Sequence, residues 1–124
     1  MKFYVCEKCG NFVGMIKESG VPMMCCGQKM TEVVANTTDG AREKHVPVVK
    51  IEGYKVTVTV GSVEHPMTAA HSIQWIALQT KQGNQRKVLD VNGKPEADFM
   101  LCEGDEVIAA FEYCNLHGLW KATK

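Results

Sequence analysis

Four cysteines in the first 26 residues, Cys6-Glu7-Lys8-Cys9 and Cys25-Cys26, decide how the start of this chain can fold. The stretch before residue 36 is too short to bury much of an apolar core. Modules of that size generally need a staple, and metal binding can supply the folding free energy. Two thiolates two residues apart can chelate one tetrahedral ion. Adjacent cysteines point in different directions unless the backbone bends, so the second half of the chelate predicts a distorted tetrahedron. The plainer reading is a structural zinc ribbon, which ordinarily uses a second C-x-x-C. A redox disulfide or a set of unpaired thiols would also fit the pattern. Iron and zinc both accept four thiolates, so spacing leaves the ion open, with zinc possible at this site.

The rest of the chain reads as strands. β-branched runs at 46–51 and 55–60 flank Glu52-Gly53-Tyr54, a hairpin pattern. Further strands are expected at 72–78, 86–91, 98–102 and 107–113, separated by turns that contain glycine. No long segment has helical periodicity. Short strands at regular spacing predict an antiparallel sandwich or barrel. The polar, turn-rich stretch 35–40 marks a boundary between the cysteine module and this β domain.

Composition removes several function classes. Lys plus Arg equals Asp plus Glu at 14 each, so the formal net charge is zero. The basic surplus of a nucleic-acid binder is absent, as is the basic segment that would favour an anionic membrane surface. No apolar stretch approaches the roughly 20 residues of a membrane span. The opening Met1-Lys2-Phe3-Tyr4-Val5-Cys6 meets a cysteine before any apolar signal core, which gives the cytoplasm as the expected location. Thiols there are kept reduced, and clustered cysteines read as metal ligands before disulfides.

All four histidines, His45, His65, His71 and His117, fall beyond residue 44, and Cys114 stands three residues before the last. Each histidine lies beside a turn former or a charged residue. A histidine next to proline is often only a loop residue. Yet loops at one end of a sandwich gather functional groups on a rigid frame, and Cys114-Asn115-Leu116-His117 has a chelating spacing. If the five converge, they form a nitrogen-rich site with one thiolate. That set suits a redox iron better than a structural zinc, which four ligands would saturate.

Longer runs carry a resemblance to a known family. Thr38-Asp39-Gly40-Ala41-Arg42-Glu43-Lys44-His45-Val46-Pro47 resembles a signature of desulfoferrodoxin, the two-iron class of superoxide reductase. So do Gly61-Ser62-Val63-Glu64-His65-Pro66-Met67, His71-Ser72-Ile73-Gln74-Trp75-Ile76 and Tyr113-Cys114-Asn115-Leu116-His117-Gly118-Leu119-Trp120-Lys121. Cys6, Cys9, Cys25 and Cys26 are similar to that family's desulforedoxin-like module. The resemblance implies a module at 1–36 whose four cysteines bind a distorted tetrahedral iron. It implies an immunoglobulin-like antiparallel β-sandwich at 37–124, in a homodimer. There His45, His65, His71 and His117 would form the equatorial plane of a second iron, and Cys114 its axial thiolate. One position would stay open. Glu43 would be the carboxylate that can occupy it in the oxidised enzyme, and Lys44 the cation beside it.

The implied reaction is reduction of superoxide to hydrogen peroxide, with an external electron donor, a rubredoxin-type protein. Neutral imidazoles leave ferrous iron its positive charge for an anionic substrate, and a thiolate opposite the open site donates electron density. Lys44 would steer superoxide and help to deliver protons. Without the resemblance, Glu43 and Lys44 read as two solvated charges before a strand. The four-cysteine centre is either an electron relay or a fold-forming element. Cys102 is expected to face inward on a strand as a small apolar residue. Trp75 and Trp120 adjoin ligand segments and are expected either to wall the site or to pack the core. Two rivals stand: an electron-transfer protein using the same irons, and a structural module whose four cysteines hold zinc.

Overall fold

The structure is a computed structural model that describes residues 1–124, and it divides into two compact units, Met1–Val34 and Ala35–Lys124. In the first unit, β1 (Lys2–Val5), β2 (Phe12–Met15) and β5 (Thr31–Val33) form a sheet ordered β2-β1-β5. Between β2 and β5, β3 (Met24–Cys25) and β4 (Gln28–Lys29) make a two-residue hairpin, with Cys25 opposite Gln28. Its turn residues, Cys26 and Gly27, have φ of +52° and +74°. Both central positions of such a turn need positive φ, which glycine adopts freely and cysteine at some cost. The core of this unit is small: Phe3, Cys6 and Met30 are its buried apolar side chains.

The second unit opens with a single helical turn, α1 (Arg42–His45), followed by seven strands. β6 (Pro47–Glu52), β7 (Lys55–Val60) and β10 (Glu96–Met100) form one antiparallel sheet. β8 (Ile73–Thr80), β9 (Gly83–Val88), β11 (Val107–Cys114) and β12 (Gly118–Thr123) form the other, ordered β12-β11-β8-β9. Alternation decides the inner face. On β7, Val56, Val58 and Val60 are buried while Lys55, Thr57 and Thr59 are not. They pack with Phe99 of β10 against Ile73, Ile76, Leu78 and Ala110 of the opposite sheet. Each such valine contributes about 1.5–3 kcal/mol by leaving water. The result is an immunoglobulin-like sandwich.

The register explains where the histidines go. Pro47 pairs with Val60, so the segments before β6 and after β7 leave the sheet at one end. Cys114 pairs with both Ile73 and Gly118, so the end of β11 and the starts of β8 and β12 are neighbours. His45 on α1, His65 and His71 between β7 and β8, and His117 between β11 and β12 occupy these connections. The β11–β8 register shifts between Tyr113 and Cys114, a bulge of the kind that re-aims a side chain beside a site.

One expectation needs correction. Cys102 does not face inward on a strand. β10 ends at Met100, and Cys102 is exposed in the turn that follows, where the Asp105 N–H donates to its carbonyl (3.1 Å). Trp75 is half-buried and stacks on Tyr113 (5.8 Å, 11°). The strand expected at 86–91 is β9, three residues earlier at both ends. The turn at Lys81-Gln82 places it there: the Lys81 N–H donates to the Glu106 carbonyl and the Gln82 N–H to the Asp105 carboxylate.

Candidate metal centres

In the first unit the knuckle is built by main-chain bonds. The Gly10 N–H donates to the Cys6 carbonyl (2.8 Å), and the Cys6 N–H to the Asn11 carbonyl (2.8 Å). This folds Cys6 and Cys9 toward the β3–β4 hairpin. The positive φ at Cys26 supplies the bend that two adjacent cysteines need to face one point. The four sulfurs lie within 4.8 Å of one another, with Cys9 to Cys25 at 3.6 Å and Cys25 to Cys26 at 4.0 Å. Sulfurs held about 2.3 Å from a common ion at tetrahedral corners lie about 3.8 Å apart. The Cys9 N–H beside its sulfur brings the Cys6 thiol down to about 6, so this ligand is readily a thiolate. All six cysteines are free thiols in this structure.

In the second unit the ligand atoms of His45, His65, His71, Cys114 and His117 also lie within 4.8 Å of one another. His45 Nε2 is 3.1 Å from His117 Nδ1. Imidazole nitrogens bound side by side at about 2.1 Å from one ion stand roughly 3 Å apart. Cys114 Sγ is 3.5 Å from His65 Nε2 and 3.9 Å from His117 Nδ1. His45 and His65 are buried, and His71 and His117 half-buried.

The tautomers are set by carbonyls, which only accept. His45 Nδ1–H donates to the Ala41 carbonyl (2.8 Å) and His65 Nδ1–H to the Pro66 carbonyl (2.7 Å). In both rings the Nε2 lone pair is left for an ion, the usual outer support of a metal-bound histidine. Burial holds His45 and His71 below the ordinary imidazole range and brings His65 down to about 4. Near neutral pH these rings are neutral and able to ligate. His71 Nε2 is buried with no hydrogen-bond partner. An orphaned nitrogen aimed among four other donors is costly in a protein and is satisfied by an ion. Burial pushes the Cys114 thiol up, so its thiolate needs a nearby positive charge. The five donors therefore fit a metal.

Residues outside the ligand set hold it in place. Trp120 stacks on His45 (5.0 Å, 26°) and donates Nε1–H to the His117 carbonyl (3.0 Å). Asn115 accepts the Ser72 N–H at Oδ1 (3.0 Å) and donates Nδ2–H to the Ala70 carbonyl (2.9 Å), tying the His71 loop to the Cys114 loop. Sequence reasoning misses this role, although Asn115 sits inside the chelating motif. Gly61 abuts α1. A Cβ there would stand 2.6 Å from the Glu43 carbonyl oxygen, which already accepts the Val63 N–H (2.8 Å) and the Ser62 hydroxyl (3.3 Å). Glu43 and Lys44 are both exposed on this turn. Lys44 lines an open groove of about 500 Å³ with Glu64, His65, Pro66, Met67 and Lys94, and its charge contributes to lowering His45 and His71.

The desulfoferrodoxin family model matches residues 37–123. A desulfoferrodoxin of Nitratidesulfovibrio vulgaris is 46% identical over 123 residues, 98% of this chain and 94% of that one. This chain belongs to the desulfoferrodoxin family. Among solved structures, the superoxide reductase from Treponema pallidum is similar over 98% of both chains, with 42% identity and a TM-score of 0.83. A one-iron superoxide reductase from Giardia intestinalis is similar over 66% of this chain and 97% of its own, with 38% identity and a TM-score of 0.52. No helix is long and apolar enough to cross a membrane.

Proposed function

We propose that this desulfoferrodoxin is a superoxide reductase, and that His45, His65, His71, His117 and Cys114 hold the iron at which it works. The observation that carries the reading is the convergence of five donor atoms around the unpartnered His71 Nε2. Superoxide, one electron and two protons give hydrogen peroxide. Ferrous iron in this set would supply the electron and one coordination position for the substrate. Neutral rings at His45, His65 and His71, with the single thiolate of Cys114, keep the site's charge favourable to an anion. Trp120, packed on His45, keeps water from that ring.

Lys44, on the groove beside His65, supplies a cation that steers superoxide and orders the proton donor. Glu43, one residue away on α1, would be the carboxylate available to the oxidised iron. We assign residues 1–36 to the module in which Cys6, Cys9, Cys25 and Cys26 hold a second iron, and 37–124 to the reductase domain. The likeness to a one-iron reductase over 66% of this chain supports a reaction that runs without the four-cysteine centre. The remaining assignments are a homodimer, a cytoplasmic setting, a rubredoxin-type electron donor and a part in oxidative-stress defence.

Cys6→Ser tests the division of labour. It should abolish the first centre's absorption and leave superoxide reduction by the prereduced protein largely intact. Collapse of the reaction would make the first centre an obligate partner and refute the assignment.

A further inference from the structure

Hydrogen bonds to thiolate sulfur are one of the few levers a protein has on the reduction potential of a four-thiolate iron. In the first unit these bonds are divided between main chain and side chain. Cys6 Sγ accepts the Cys9 main-chain N–H (3.5 Å), and Cys9 Sγ accepts the Asn11 main-chain N–H (3.5 Å). Both follow from the knuckle and would survive most side-chain changes. Cys25 lies across the site on β3, and its sulfur accepts from the Asn11 carboxamide, Nδ2 to Sγ at 3.6 Å. Asn11 thus donates to two of the four sulfurs, one in each half of the chelate. Its side chain links the Cys6–Cys9 knuckle to the Cys25–Cys26 hairpin.

We propose that Asn11 is a positioning residue that sets the potential of the four-cysteine centre, through the hydrogen bond from its carboxamide to Cys25 Sγ. The proposal rests on the reading that this centre holds iron. Four thiolates carry the ferric ion at net charge −1 and the ferrous ion at −2, so reduction raises the charge on sulfur. An N–H aimed at Cys25 favours the reduced form more than the oxidised one. Removing it lowers the potential and makes the remaining thiolate a better donor to the ferric ion.

The test uses the full-length, iron-loaded protein and an optical redox titration of the first centre in Asn11→Ala and Asn11→Asp. Aspartate keeps the shape, removes the N–H and adds negative charge. Asn11 is exposed, so water replaces part of the bond. The equilibrium constant for reduction should fall roughly threefold to tenfold in Asn11→Ala, up to about 59 mV for a one-electron couple. It should fall further in Asn11→Asp. The thiolate-to-iron bands of that centre should move to longer wavelength, with the second centre's potential unchanged. The proposal is overturned if both variants load iron with the potential and bands of the unsubstituted protein. It is also overturned if neither loads iron at the first centre, which would make Asn11 a folding residue, or if the second centre shifts equally. Absence of four-thiolate bands from the unsubstituted protein would instead refute the iron reading itself.

Discussion

Replacing Gly61 with alanine probes the support of the reductase site without touching a ligand. The added Cβ would lie 2.6 Å from the Glu43 carbonyl oxygen, 3.0 Å from the Lys44 carbonyl carbon and 3.1 Å from the Val46 carbonyl oxygen. Ordinary contact begins at 3.4 Å, so the closest pair falls short by about 0.8 Å. All three neighbours are backbone, and none can rotate away as a flexible side chain would. The Glu43 oxygen is also held by the Val63 N–H. Over-packing of this kind costs roughly 1–3 kcal/mol. In a unit of this size each kcal/mol lowers Tm by about 4–8 °C. Relief must come by moving α1, which carries Glu43, Lys44 and His45. Calorimetry of the iron-loaded protein should show the second unit melting well below that of the unsubstituted chain. The thiolate-to-iron band of Cys114 should change while the four-cysteine bands persist. A Tm within about 1 °C of the original, with both spectra intact, would refute the contact between Gly61 and α1 as a determinant of the site.

Three further outcomes are expected. Cys114→Ser should remove the thiolate-to-iron absorption of the second centre and most of the activity; retention of both would take Cys114 out of the ligand set. Lys44→Ala should slow the bimolecular step with superoxide severalfold and flatten its dependence on ionic strength, within the range known for electrostatic steering; an unchanged rate by pulse radiolysis would refute steering. Glu112 is buried with neither carboxyl oxygen hydrogen-bonded, and burial pushes it up to about 9 from 4.5. A raised folded value means that its contribution to stability is whole below pH 4.5 and is lost as pH rises toward 9. Glu112→Gln should therefore flatten the decline in unfolding free energy across that window, and parallel curves for the two proteins would contradict the burial argument.

What can be read in the sequence follows from how local each determinant is. β7 is visible because its three valines alternate with lysine and threonines, and a half-buried strand demands that pattern. The ligands are visible because imidazole and thiolate are scarce and the Cys114–His117 spacing is short. Their convergence is not visible, since it depends on the pairing of Pro47 with Val60 and of Cys114 with Ile73 and Gly118. The short strands of the first unit have too few residues to show a period. Cys102 misleads because the strand pattern before it continues past Met100, where the chain turns. Glu112 gives no warning at all: a lone glutamate in a strand is normally solvated, and only the packing around β11 places it inside.

The most direct test of the central claim is the reaction of the prereduced protein with superoxide, followed by pulse radiolysis with product analysis. The account predicts oxidation of the His/Cys iron with one hydrogen peroxide formed per superoxide consumed and no dioxygen. Zinc in place of iron at the five-donor set, or dioxygen appearing alongside peroxide, would contradict it.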